Sequence, residues 1–156
     1  MDVIIRKATS ADLPAVQKLS CELFLSDVSH DPLLNKQWTY QKEGEAYFSK
    51  RVTQAEGICF VAELDGTIVG YTTGNSMPVL SWRPVRRIEL ENLIVTALYR
   101  GKGIGEQLVH ALFAWGKSLG MERVMVSAYA INEGGIRFYK RIGFIPDSVQ
   151  MEKILS

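Results

Sequence analysis

The feature that most constrains this chain is an apolar stretch that runs into a glycine-rich turn and then into a helical pattern. Leu93–Val95 has the composition of a buried strand, and Gly101, Gly103 and Gly105 follow it closely. Backbone N–H groups at a helix start lack intrahelical partners, and the helix dipole favours negative charge there. Glycine also lacks the Cβ atom that would hold a phosphate away from the backbone. The segment therefore predicts a site for a phosphate-bearing cofactor.

Two familiar phosphate-binding loops do not fit these residues. A P-loop needs four residues between its glycines, followed by Lys and then Ser or Thr, and the turn has no such spacing. A dinucleotide fingerprint needs a third glycine at position 106 or 108, where the sequence has Glu106 and Leu108. These spacings argue against a domain that binds ATP or a nicotinamide cofactor.

Two segments together resemble a known family. The pattern Arg100-x-x-Gly103-x-Gly105 after a strand resembles the acetyl-CoA signature of the GNAT superfamily of N-acetyltransferases. A second segment resembles that family's other signature, in which an Asn follows a strand, a short helix carries Phe-Tyr, and Gly-Phe comes next. Its residues are Asn132, Phe138, Tyr139, Gly143 and Phe144. The separation of the two segments leaves room for one helix and one strand, as in the family.

The resemblance implies that acetyl-CoA is the cosubstrate, that no metal takes part, and that a primary amine attacks the thioester directly in a ternary complex. It implies that the backbone of Leu93 and Val95 pairs with the pantetheine arm of acetyl-CoA. Asn132 would either contact that arm or hold the start of the short helix. The implied cofactor-binding residues are Leu93, Ile94, Val95, Arg100, Gly101, Lys102, Gly103, Ile104, Gly105 and Asn132.

Acetyl transfer to an amine needs a proton acceptor for the amine and a proton donor for the departing thiolate. By resemblance, Tyr139 is the general acid. Glu89 and Glu91 lie two apart in a predicted strand, so their side chains share one face. Members of the family carry a carboxylate at either position, and we expect Glu91 in preference to Glu89 to act as the base, through water.

The predicted elements follow the order β-α-α-β-β-β-α-β-α-β, and they form a single domain over residues 1–156. This is an α+β fold with one mixed, mostly antiparallel sheet flanked by helices, as in the GNAT family. Asp65-Gly66 is a strong hairpin signal between two of the strands. The last strand is predicted from Phe144 onward.

Composition limits the classes of partner and the location that we expect for the chain. A net charge of +1 gives no reason to expect nucleic acid or an anionic membrane as a partner. The longest apolar runs are far shorter than a membrane span, and the first residues lead directly into a predicted strand. Cys21 and Cys59 do not have metal-ligand spacing. We therefore expect a cytoplasmic enzyme with two reduced thiols.

The amine acceptor is the least constrained part of the prediction. Acidic and aromatic side chains in the segments that set acceptor choice in the family suit a small cationic amine. These segments carry Glu22, Asp27, Asp31, Trp38, Tyr40, Tyr47, Trp82 and Arg83. Acetylation of a protein N-terminus or lysine, and a non-catalytic acyl-CoA sensor, are the alternatives. A homodimer is also left open, with exposed apolar residues of the last strand as the candidate contact.

Overall fold

One sheet of five strands forms the centre of the protein, with helices on both of its faces. The computed structural model describes residues 2–156. The strands are β1 (Val3–Lys7), β2 (Gly57–Leu64), β3 (Thr67–Ser76), β4 (Arg87–Val95) and β5 (Arg123–Val126). The α-helices are α1 (Leu13–Asp27), α2 (Lys42–Thr53), α3 (Ile104–Ser118) and α4 (Glu133–Arg141). Short 3-10 turns lie at Ser10–Asp12, Trp38–Tyr40 and Ala97–Tyr99.

The strands lie in chain order across the sheet, and all neighbours are antiparallel except β4 and β5, which are parallel. Asp65 and Gly66 join β2 to β3 with φ values of 48° and 80°. Two successive residues with positive φ match the right-handed twist of a hairpin. The predicted hairpin and the mixed, mostly antiparallel α+β fold are confirmed.

Two apolar clusters hold the helices on the sheet. On one face, α3 buries Ile104, Leu108 and Leu112 against the sheet, with exposed fractions of 1% or less. On the other face, α1 contributes Val16 and α2 contributes Phe48 to a second cluster. Within residues 2–156, no helix is both long and apolar enough to cross a lipid bilayer.

Strand β4 carries a bulge in its middle. Its register with β3 shifts by one residue between Leu90 and Asn92, so that Glu91 has no opposite residue on β3. An inserted residue interrupts the alternation of side chains along a strand. Leu90 and Leu93 accordingly both pack toward α3, while Glu91 and Asn92 both face the helices α1 and α2.

The second irregularity of β4 is an edge that lacks a strand partner. Parallel pairing with β5 ends at Leu90 and Val126, although β4 continues to Val95. The Thr96 N–H donates to Val69 O at 2.8 Å, across the β3 side of the strand. Alternation along an antiparallel ladder then directs the N–H and C=O groups of Leu93 and Val95 away from β3. We call residues 91–95 the open edge of β4.

The prediction of a closing strand from Phe144 onward is wrong for this structure. Residues 145–156 form no strand and pair with none of the five in the described chain. Their large apolar side chains are exposed rather than packed, Ile145 at 85% and Val149 at 81%. Alternating apolar residues give a segment strand propensity, but a strand also needs an edge to pair with. Here the segment leaves the domain instead of returning to β5.

Candidate active site

The glycine-rich turn lies between the end of β4 and the start of α3. Gly101 and Gly103 have φ values of 73° and 81°, a backbone conformation that residues with a Cβ adopt at a cost. A Cβ built on either residue would meet no atom within 4 Å, so the turn faces open space. Helix α3 begins immediately afterwards at Ile104, with its first N–H groups directed at that space.

The two cations of the turn have different surroundings. Arg100 donates from Nε to Val95 O at 2.7 Å, and its Nη2 lies 3.5 Å from the Glu22 carboxylate. Its guanidinium therefore links the turn to the end of β4 by a hydrogen bond and to α1 by an ion pair. Lys102 is exposed, with its ammonium 5.5 Å from the centroid of the Tyr99 ring. Both cations are exposed, but the charge of Arg100 is partly offset by Glu22, whereas the ammonium of Lys102 lies over the Tyr99 ring.

Helix α4 begins at a side-chain cap. Asn132 accepts a hydrogen bond on Oδ1 from the Gly135 N–H at 3.0 Å. A Cβ on Gly135 would lie 2.6 Å from Asn132 Nδ2, so the glycine leaves room for the capping amide. Of the two roles expected for Asn132, the structure thus contains the helix cap, and a contact with the cofactor stays a prediction.

Three elements meet beside the open edge of β4. A Cβ on Gly105, in the first turn of α3, would lie 3.6 Å from the Phe138 ring and 3.9 Å from Val95 Cγ2. The start of α3, helix α4 and the end of β4 therefore converge at one place. The predicted phosphate site, the unpaired backbone and the helix that carries Tyr139 all border this convergence.

Tyr139 is half-buried in an aromatic group. Its ring centroid lies 5.2 Å from that of Phe138 and 5.4 Å from that of Phe144. Burial, with a contribution from the negative charge of Asp27, raises the pKa of Tyr139 to about 12. The phenol is therefore protonated at neutral pH, as a proton donor must be.

Glu91 is held in an ion pair with Arg51 of α2. Arg51 donates from Nε to Oε1 at 2.6 Å and from Nη2 to Oε2 at 3.0 Å. The two side chains are 13% and 19% exposed, and the Tyr47 hydroxyl donates to Oε1 as well, at 2.9 Å. Both carboxylate oxygens of Glu91 thus accept strong hydrogen bonds from the protein itself.

Glu89 lies two residues before Glu91 on β4 and is half-buried. Burial raises its pKa, and the charge of Glu91 raises it further, while the charge of Arg51 opposes that rise. Because Glu89 responds to both charges, the two carboxylates and Arg51 form one electrostatic group on the α2 side of the sheet.

A cavity of about 410 Å³ opens on the same side of the sheet. Trp38 lies between Phe24 and Tyr47, with ring centroid distances of 5.9 Å and 5.5 Å. The cavity is lined by Phe24, Asn35, Trp38, Tyr47, Glu91 and Asn92. It combines an aromatic wall with amide and carboxylate groups of β4 and of the α1–α2 connection.

Of the side chains expected near the acceptor, Trp38 and Tyr47 line this cavity. Tyr40 and Trp82 do not line it, and they are exposed at 53% and 77%. Glu22 accepts from Thr96 Oγ1 at 2.9 Å and so connects α1 to the end of β4.

The polar network behind the cavity was not predicted from the sequence. The Tyr47 hydroxyl contacts Thr73 Oγ1 at 2.9 Å, and Asn92 donates from Nδ2 to both of these oxygens at 2.9 Å. Arg51 was missed because it lies in a polar helix, and Asn92 because the bulge that turns it inward cannot be read from alternation. The bulge at Glu91 therefore explains why Asn92 was missed.

Comparison with known proteins assigns the chain to a family. The model of the acetyltransferase (GNAT) family matches residues 25–144, which is more than half of the chain. The chain therefore belongs to the GNAT family of acetyltransferases. This confirms the resemblance on which the site residues were predicted.

Curated relatives include acetyltransferases with different acceptors. An L-methionine sulfoximine/L-methionine sulfone acetyltransferase of Pseudomonas aeruginosa is 25% identical over 147 residues, 92% of this chain and 81% of that protein. An N-alpha-acetyltransferase of Sulfurisphaera tokodaii is 28% identical over 130 residues, 77% of this chain and 75% of that protein. The chain spans only 43% and 24% of two uncharacterized N-acetyltransferases, from Methanocaldococcus jannaschii and Bacillus subtilis.

Solved structures share the fold over nearly the whole chain. A mutant of the BH1408 protein from Bacillus halodurans has a TM-score of 0.82 and 22% identity, covering 98% of this chain and 99% of that one. AAC(6')-Iy, in complex with a CoA-linked acetylneamine bisubstrate analog, has a TM-score of 0.77 and 17% identity, with 100% of both chains covered. At these identities the likeness supports the fold alone.

Two glycine substitutions should show which residue of the turn is glycine because of its backbone conformation. Gly103→Ala forces a Cβ onto a residue with positive φ and should lower the free energy of unfolding by about 1–2 kcal/mol. Gly105→Ala adds only an ordinary contact with Phe138 inside a helix, so stability should stay equal or rise by up to about 1 kcal/mol. Urea unfolding of both variants without ligand measures the difference. Equal losses of stability would contradict this account of the turn.

Proposed function

We propose that the protein transfers the acetyl group of acetyl-CoA to the primary amine of a small molecule. The observation that carries the proposal is the convergence of the open edge of β4, the glycine-rich start of α3 and the helix that carries Tyr139. A thioester with a phosphate-bearing arm fits all three features, since the arm can pair with backbone and its phosphates with helix N–H groups. We also retain the cytoplasm as the expected location.

The chain offers acetyl-CoA a set of backbone donors and acceptors. Leu93, through its N–H and C=O groups, and Val95, through its N–H group, would pair with the pantetheine arm, because these groups point away from β3 and the Val95 carbonyl already accepts from Arg100. Gly101–Gly105 would receive the pyrophosphate, with Ile104 at the helix start and Lys102 adding charge. The Ile94 side chain is 4% exposed and packs in the cluster with α1 and α2. Ile94 would therefore affect the cofactor only through the path of its backbone.

Glu89 is the better candidate for the base, which reverses the preference between the two carboxylates. A proton accepted by Glu91 would displace hydrogen bonds that Arg51 and Tyr47 donate to it. Glu89 makes no such ion pair among the described residues, and its pKa is raised, which strengthens it as a base. Glu89 would take the amine proton through water, while Glu91 would position Tyr47, to which Asn92 donates, beside the cavity.

Tyr139 would donate the proton that the departing thiolate takes up. When bound, acetyl-CoA supplies a thioester carbonyl that a neutral amine can attack. The phenol is protonated at neutral pH and would donate to the sulfur as the C–S bond breaks, and the proton released by the amine would restore it through water. The open edge would offer backbone N–H groups to the carbonyl oxygen as charge develops on it.

The cavity favours a small acceptor. Its volume of about 410 Å³ suits a ligand of modest size, and its aromatic wall suits a cationic group by cation–π contact. The similar protein of Pseudomonas aeruginosa is named for acetylation of two small molecules, L-methionine sulfoximine and L-methionine sulfone, which supports an acceptor of this size. The N-alpha-acetyltransferase relative keeps a protein N-terminus as the second candidate acceptor.

Thermal unfolding and turnover together test the cofactor and the acid. Acetyl-CoA at a hundred times its Kd should add about 2.7 kcal/mol to the free energy of unfolding, whereas ATP and NAD should add nothing. Tyr139→Phe should keep that stabilisation, because the ring and its packing remain, and should lower turnover of an accepted amine by about a hundredfold.

A shift with ATP or NAD alone would refute acetyl-CoA as the cosubstrate. Unchanged turnover in Tyr139→Phe would remove Tyr139 as the acid. Binding of acetyl-CoA with no transfer to any amine, N-terminal peptide or lysine peptide would instead favour the non-catalytic sensor.

The acidic limb of the pH profile distinguishes the two carboxylates. If Glu89 is the base, kcat/KM rises as pH passes its pKa from below. Glu91→Gln removes a negative neighbour and should move that limb to lower pH, while Arg51→Met removes a positive one and should move it to higher pH. Each shift should be on the order of one pH unit.

The matched variant is Glu89→Gln, which should abolish the limb and lower kcat/KM by about a hundredfold. If Glu91→Gln abolishes the limb while Glu89→Gln only moves it, the roles are the reverse of those proposed.

A further inference from the structure

Strands β4 and β5 each begin with an arginine. Arg87 and Arg123 are register partners in the parallel ladder, so their side chains stand next to each other on strands about 4.8 Å apart. Both lie on the α1 and α2 side of the sheet, because the residues that follow them, Ile88 and Val124, pack toward α3. The face that carries Glu89 therefore begins with two adjacent positive charges.

Neither of these arginines has an anionic partner in residues 2–156. Arg87 is half-buried, and its Nε lies out of contact with water without any hydrogen-bond acceptor. Arg123 is exposed beside it, and no carboxylate of the described chain forms an ion pair with either guanidinium. A buried donor without an acceptor costs free energy, and like charges on neighbouring strands repel each other. An anion held between the two side chains would remove both costs.

Other arginines of this region are paired with carboxylates. Arg86 precedes the pair and lies 3.7 Å from Glu122. Arg51, on the same side of the sheet as the pair, is bound to both oxygens of Glu91. The two arginines at the start of the strands differ from these because the protein supplies them with no counter-charge. This difference points to a counter-charge that comes from a ligand.

The charges along this face of β4 change sign within a short distance. Glu89 follows Arg87 by two residues, which is about 7 Å along a strand. Glu91 follows by two more and lines the cavity next to the aromatic wall. A molecule with an amine and a carboxylate a few bonds apart matches this order. The planar guanidinium group is also suited to a carboxylate, which it can bind through two parallel hydrogen bonds.

We propose that the acetyl acceptor is an amino carboxylate, such as an amino acid, and that Arg87 and Arg123 bind its carboxylate while its amine lies beside Glu89. The inference rests on the proposed function, which puts the attacking amine at Glu89. In the transfer, the N–C bond forms and the C–S bond of the thioester breaks. The amine loses a proton to Glu89 through water, the sulfur takes one from Tyr139, and the carboxylate of the acceptor is unchanged.

The arginine pair would give the enzyme selectivity against amines without a carboxylate. Such an amine would leave both guanidinium groups without a counter-charge when it displaces their water. A site built to pair a charged group discriminates strongly against analogues that lack it. The acceptor is thereby narrowed from small amines in general to small zwitterions.

Matched pairs of acceptors test the carboxylate site. The panel consists of the common L-amino acids, each compared with its own carboxamide, which keeps the amine and the side chain but has no negative charge. Rates are referred to the concentration of unprotonated amine, since the amide is the weaker base. For the best acid, kcat/KM should exceed that of its amide by at least about tenfold, and the difference should lie in KM. Equal values, or a preference for the amide, would overturn the proposal.

Arg87→Gln with Arg123→Gln should bring this ratio of acid to amide down to about one, through a higher KM for the acid. The matched control is Arg86→Gln with Lys117→Gln, which removes the same charge from the end of α3 and the residue beside it. The control should keep the ratio of the wild type. Because both arginines lack partners in residues 2–156, the first variant should keep or raise the thermal midpoint of the free protein. A large loss of stability would show that the pair is structural and would contradict the proposal.

Binding without turnover separates this inference from the proposed function. Calorimetric titration of the CoA-bound protein with the same acids and amides requires no chemistry. If acids bind in a way that depends on the two arginines but no amine is acetylated, the carboxylate site stands and the proposed function fails. If amines are acetylated but no acid is preferred, or if the preference survives Arg87→Gln with Arg123→Gln, the carboxylate site fails alone. Loss of the acetyl-CoA thermal shift in that variant would also overturn it, because the pair would then bind the cofactor.

Discussion

The end of parallel pairing between β4 and β5 is the constraint on which the rest of the site depends. Once β5 stops at Val126, β4 continues for several residues with one edge unpaired. Backbone groups inside a fold must find partners. Arg100 donates to the Val95 carbonyl, and water or a ligand arm can reach the other groups of this edge. The glycine-rich turn and helix α4 border the same gap. The unpaired edge, the predicted phosphate site and the helix that carries Tyr139 therefore all lie at the break in this one ladder.

The bulge at Glu91 is the second feature on which the site depends, because it sets which side chains of β4 face the cavity. Without it, Asn92 would point into the α3 cluster and Leu93 toward the cavity, which would exchange polar and apolar surfaces. With it, Glu91 and Asn92 share the face of α1 and α2, where Arg51, Tyr47 and Thr73 satisfy them. The ion pair with Arg51 engages Glu91 and leaves Glu89 without such a partner among residues 2–156, and on this difference we base the proposed roles of the two carboxylates.

Most of the fold was predictable because its signals are local. Asp65-Gly66 requires positive φ values, glycines follow β4 where α3 begins, and the apolar spacing of α3 is helical. The closing strand was wrong because alternation records propensity but not the edge that a strand pairs with. In the candidate site, the acetyltransferase signatures predicted roles for Tyr139 and the turn, and these roles stay predictions. Arg51 and Asn92 escaped detection because their positions depend on a bulge and on a contact between α2 and β4.

The central claim is that the open edge of β4 receives the arm of acetyl-CoA through its backbone. Amide hydrogen exchange by NMR tests it residue by residue. In the free protein, the amides of Ile94 and Thr96 should exchange slowly, because they face β3, and those of Leu93 and Val95 should exchange fast. Saturating acetyl-CoA should slow Leu93 and Val95 selectively. If both stay fast with the ligand bound, or if both are already slow without it, the account of the open edge is contradicted.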